Sequence, residues 1–115
     1  MSLRDPQLVL VGFAPVLLAA QVGGDSYPHG DDTFFVVDNA DAAPVNVTVQ
    51  VQNAGFKFPG AGTVDFEDIV VPVPAGAQRW ITVPKRPYAD DNGHVQLTYS
   101  AVANVTVGAF KLPKY

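Results

Sequence analysis

The chain has 115 residues, of which 48% are apolar, only 16% are charged and none is cysteine. This is one domain's worth of sequence with enough material for its own core, and it excludes disulfides and thiolate metal sites. A net charge of −4 without clustered Lys and Arg excludes a binder of nucleic-acid backbone. The charge is uneven: within residues 1–50 a single base, Arg4, faces Asp5, Asp25, Asp31, Asp32, Asp38 and Asp41.

In chain order, the first feature is the apolar run over residues 8–20, LVLVGFAPVLLAA. It is too short to cross a bilayer. Asp5 cancels Arg4 ahead of it and Pro15 interrupts it, which argues against a secretory leader. Residues 1–15 are read as an apolar arm or first strand, and residues 16–115 as a single β-sandwich domain. Residues 33–37, TFFVV, are apolar on both faces, as in a central or partner-covered strand. A turn at 40–44 leads into residues 45–52. There Val45, Val47, Val49 and Val51 alternate with Asn46, Thr48, Gln50 and Gln52, the period of a strand with one face in the core.

Residues 69–73 and 79–83 flank Pro74-Ala75-Gly76, which predicts a hairpin with Ile69, Val71, Ile81 and Val83 on the core face. Trp80 then faces outward. Residues 85–91 predict a short irregular or single-turn helical link, and Asp91-Asn92-Gly93 a turn. Strands follow at 95–99 and 104–109, joined tightly through 100–103. The expected class is all-β: an antiparallel β-sandwich or barrel of about seven or eight short strands with an extended N-terminal arm.

No catalytic set emerges. The chain lacks a G-x-S-x-G elbow, and Asp25, Ser26 and His29 lie in one local stretch where turn polar groups are expected. Asp31-Asp32 and Asp90-Asp91-Asn92-Gly93 lack the spacing and closing Glu of a calcium loop and read as turn caps. His29 and His94 have no third ligand to make a zinc site. Asp65 and Glu67 share a strand face and read as solvent-facing charges that block edge pairing. The chain is therefore read as a binding or structural protein, without enzyme activity, cofactor or metal, and with neither nucleic acid nor membrane as partner. The two sequons, at Asn46 and Asn104, lie within strands and are discounted as glycosylation sites.

Three segments taken together carry a resemblance. These are GDSYPHGDDT (24–33) followed by the apolar 34–37, VPVPAG (71–76), and YADDNGHVQLTYS (88–100) leading into Val105-Thr106-Val107. Their order resembles small β-rich capsid decoration (head) proteins of tailed phages, particularly those of actinobacteria. That resemblance implies a virion structural protein on the outside of the shell, assembled in the host cytoplasm. Its implied partners are the major capsid protein and, as a homotrimer, itself. Leu8, Leu10, Phe13, Phe34, Phe35 and Trp80 are the candidate interface. The alternatives are another virion component, such as a head–tail connector or tail protein, and a carbohydrate-binding or adhesion module that uses exposed aromatics.

Overall fold

A computed structural model describes residues 2–9, 15–52, 55–58, 62–65 and 67–113. In chain order the strands are β1 (Ser2–Leu3), β2 (Gln7–Leu8), β3 (Leu18–Ala19), β4 (Asp25–Pro28), β5 (Thr33–Asn39) and β6 (Val45–Val49). They continue with β7 (Gly55–Phe58), β8 (Gly62–Asp65), β9 (Ile69–Val73) and β10 (Gln78–Ile81). A single helical turn, α1 (Lys85–Tyr88), precedes β11 (His94–Tyr99) and β12 (Val105–Lys111). One sheet has the order β1-β4-β11-β6-β9; the other has β10-β5-β12-β2, with β3 also on β12. β7 and β8 form a separate antiparallel hairpin.

The all-β class is as expected, but the sheets are mixed where only antiparallel pairing was anticipated. β1 runs parallel to β4, and β2 parallel to β12. Both exceptions belong to the N-terminal arm. Parallel neighbours need a long connection, and the arm supplies one by crossing to the second sheet between β1 and β4.

The predicted hairpin at 69–83 is not formed. Among the described residues β9 pairs only with β6, in the first sheet, and β10 pairs with β5 in the second, so the turn at 74–77 carries the chain from one sheet to the other. The reason lies in Pro72 and Pro74. Neither has an N–H, and a proline inside a sheet turns that side to an open edge. Spaced two apart, they deny a second strand the donors it would need along β9. Gly76, at φ 72°, turns the chain, and Ala77 N donates to Pro74 O at 3.0 Å. The connections from β5 to β6 and from β11 to β12 also change sheet.

Alternation decides what is buried. Val45, Val47 and Val49 of β6 and Val95 and Leu97 of β11 project inward from the first sheet. Phe35 and Val37 of β5, Ile81 of β10, and Val105, Val107 and Ala109 of β12 project from the second, and all of these join one cluster. Tyr27 of β4 stacks on Phe35 with ring centroids 5.3 Å apart. The core-face assignment of Ile81 and Val83 holds, both being buried, while Ile69 and Val71 pack at the cluster's margin. Residues 85–88 form the expected helical link, with Tyr88 buried and its hydroxyl donating to Glu67 O at 3.2 Å. The Asp-Asn-Gly turn forms around Asp90. Its Oδ1 accepts from Asn92 N and His94 N, both at 2.9 Å, and Gly93 adopts φ 78°. The His94 N–H is the main reason the Asp90 carboxyl lies below its ordinary pKa.

Candidate functional site

The outer face of the second sheet is where apolar surface meets solvent. Residues that alternate with the core set on β5, β10 and β12 point outward, and they are Phe34, Val36, Trp80 and Phe110. Phe34 stacks on Trp80 at 4.9 Å and on Phe110 at 5.6 Å, so three rings run side by side across three strands. Phe34 and Phe110 are buried, whereas Trp80 is 67% exposed. Its indole N–H donates to Gln78 Oε1 of its own strand at 3.0 Å, which leaves the ring to make apolar contact.

The arm builds the other side. β2 and β3 pair with β12, and Val9 and Leu17 pack onto Phe34, Val36 and Phe110. Between this arm and Trp80 lies a groove of about 260 Å³, floored by those three side chains, with Pro15, Gln78 and Leu112 at its rim. Gly108 lets the arm come this close. A Cβ built there would lie 3.0 Å from Leu17 Cδ2 and 3.1 Å from both Phe110 Cε2 and the Val16 carbonyl oxygen. Gly108→Ala is expected to push the arm away from β12 and cost about 1–3 kcal/mol, the usual penalty for overpacking. Urea denaturation would measure the cost, and faster amide exchange at Val9 and Ala20, whose N–H groups donate to Lys111 O and Val105 O, would locate it.

Of the expected interface residues, Phe34 and Trp80 are brought together here. Leu8 lies on β2 opposite Lys111 and is exposed. Phe35 is a correction: it points to the opposite face and is 0% exposed, a core residue with nothing to offer a partner. In a strand that is apolar on both sides, only one of two adjacent phenylalanines can face outward. Leu10 and Phe13 lie outside the described residues. Sequence reasoning missed Val36, Leu17, Phe110 and Gly108. An isolated glycine inside the valine-rich run 105–110 was the available signal of a close backbone approach.

A second constellation sits at the end of the first sheet. Asp25 shares the inward face of β4 with Tyr27, two residues on, and is completely buried rather than part of a solvated turn. Arg4 Nε donates to its Oδ1 at 2.8 Å, and Tyr99 Oη donates to its Oδ2 at 2.6 Å. Gln21 N reaches the same Oδ2 at 3.3 Å. The guanidinium also donates through Nη2 to Ala19 O at 2.7 Å. His29 lies apart from this network, its Nε2 2.8 Å from Val83 O, so Asp25 and His29 do not form a catalytic pair. Among the described residues, no group of three His, Asp or Glu is placed to hold a metal.

Burial pushes the Tyr27 hydroxyl up to about 12. Burial, then the hydrogen bond to Asp25 and its charge, hold Tyr99 well above its ordinary value of 10.0. Unfolded tyrosine ionises near pH 10 and these folded ones later, so this stability is fully present below about pH 10 and is lost as pH rises beyond it. An alkaline titration is expected to show phenolate absorbance from Tyr27 and Tyr99 only together with loss of the fold. Early, non-cooperative ionisation of both would contradict these environments.

No family model matches the chain, and no curated protein or solved structure matches it. The expectation that it would classify as a bacteriophage virion, capsid or decoration protein, a viral structural protein working as a homo-oligomer, is corrected by that result. Those terms do not stand as a classification of this chain.

Proposed function

We propose that this chain is a non-catalytic β-sandwich protein that attaches to the surface of a larger protein assembly through the Trp80 groove. The observation that carries the reading is a tryptophan two-thirds exposed beside a groove floored by Phe34, Val36 and Phe110. An exposed ring over an apolar floor fits the centre of a protein interface, where Trp is enriched and an apolar side chain of the partner fills the pocket. The surface favoured by the sequence resemblance is the outside of a tailed-phage head, with its main shell subunit as partner. A sugar platform is less well supported. Sugar subsites set polar groups around the aromatic ring, and here Gln78, the one polar residue among the described residues that line the groove, already accepts from Trp80.

The chain has one tryptophan, so its fluorescence reports on this face alone. Mixing with empty shells should shift the emission to the blue and carry the protein into the pellet on sedimentation. Trp80→Ala should fold normally and bind at least about 30-fold more weakly, as expected for an interface anchor. A folded Trp80→Ala protein that sediments with shells as well as the wild type would remove this face from the reading. Binding to a glycan instead, lost in the same variant, would favour the adhesion alternative.

A further inference from the structure

Strand pairing stops short of the place where the arm meets the Trp80 groove. Among the described residues, β3 is in register with β12 through Leu18 and Ala19, and β2 through Gln7 and Leu8. Pro15 and Leu17, the groove-lining side chains on this leg of the arm, lie ahead of the β3 ladder. One side chain from the other leg holds the residue between them. Gln7 Nε2 donates to Val16 O at 2.7 Å, and Gln7 Oε1 accepts from Val16 N at 3.1 Å. A carboxamide offers one acceptor oxygen and a donor nitrogen, the same two functions as a peptide unit, so Gln7 gives Val16 what a neighbouring strand would give. Gln7 is itself fixed in β2, opposite Phe110, and Val9 N donates to Lys111 O at 2.9 Å. The far end of the β3 leg is tied separately, by Arg4 Nη2 to Ala19 O at 2.7 Å and by Ala20 N to Val105 O at 3.0 Å. Leu17 therefore sits between two anchors, packed on Phe34, Val36 and Phe110.

We propose that Gln7 is the positioning residue of the Trp80 groove: its carboxamide, paired with the Val16 main chain, sets the wall formed by Pro15 and Leu17 before anything binds. Gln7 is not part of the groove lining, so it acts only through Val16. The consequence for attachment rests on the reading of this groove as the attachment face. A groove already in its binding shape loses no affinity to rearrangement, whereas one that holds the shape in about a tenth of the molecules binds about tenfold more weakly.

The test uses the full-length chain with Gln7→Ala, and Gln7→Glu as a second variant that keeps the bulk of the side chain but sets a carboxylate against Val16 O. Two readouts need no partner. The Leu17 methyl resonances, displaced by the neighbouring Phe110 ring, report where the wall stands, and amide exchange at Val16 reports whether it is held. Both variants should keep the wild-type spectrum for core residues such as Val47 and Val107, move the Leu17 methyl resonances, and exchange the Val16 amide at least about tenfold faster, as for a protecting bond lost locally. Leu17 and Val16 signals unchanged in Gln7→Ala would overturn the proposal. So would a Gln7→Glu protein that matches the wild type, since bulk and not the paired bonds would then set the wall. Sedimentation with empty shells reads the consequence: Gln7→Ala should bind about tenfold more weakly than the wild type. Equal binding with a displaced wall would overturn the link to attachment. A wild type that ignores shells would instead strike the attachment reading, and the methyl and exchange data would still decide what Gln7 does.

Discussion

Alanine in place of Asp25 is expected to lower the unfolding free energy by about 3–5 kcal/mol, the cost of breaking a buried ion pair from one side. The carboxylate is wholly buried and the Arg4 side chain is only 11% exposed, so solvent screens the pair little. Removing it leaves the guanidinium without its counter-ion and takes the acceptor from Tyr99 Oη and Gln21 N. Asp25→Asn keeps the shape and should cost less, because an amide oxygen still accepts. Urea denaturation at neutral pH measures both. An Asp25→Ala protein as stable as the wild type would mean that the network holds nothing together. Tyr99→Phe separates the hydroxyl from the charge and is expected to lie closer to the wild type than Asp25→Ala.

Phe35→Ala carries the second large effect, about 3–5 kcal/mol by the usual cost of emptying a core aromatic position. Phe35 is fully buried, stacks on Tyr27 of the opposite sheet and sits among Val37, Ile81 and Ala109 of its own cluster. Its loss opens a void between the sheets that rigid strands close only in part. The chain should melt well below the wild type, with the denaturant slope unchanged if the native state keeps its compactness. A cost under about 1 kcal/mol would show that the two sheets do not depend on this contact.

The strands of the core were legible because period-two alternation is a local property. Val45, Val47 and Val49, and Val105 and Val107, could be assigned to the core face from the sequence alone. Trp80 was legible by the same rule, as the neighbour of an inward Ile81. Pairing partners were not legible, because a turn signal reports a change of direction and not the sheet that receives the next strand. Pro74-Ala75-Gly76 reads alike whether it closes a hairpin or passes between sheets. Pro72, one pleat earlier, held the missing information. The Asp25 site was hidden for a different reason: Arg4, Asp25 and Tyr99 lie far apart along the chain, and only the parallel docking of β1 brings the first two together. The groove was half legible. Phe34 and Trp80 were picked out as candidate interface residues, but the opposite wall depends on Leu17 crossing above Gly108, a contact between distant parts of the sequence.

The docking of β2 and β3 on β12 also has a consequence in time. Residues 7–8 and 18–19 leave the ribosome long before residues 106–111, the segment they pair with. Until β12 has been made, β2 and β3 lack the strand they pair with, and contacts of such long sequence separation form slowly because a large loop must close first. Assembly of this face is therefore a post-synthetic event, and a nascent chain halted before residue 105 would display its apolar leading segment to whatever chaperone is at hand.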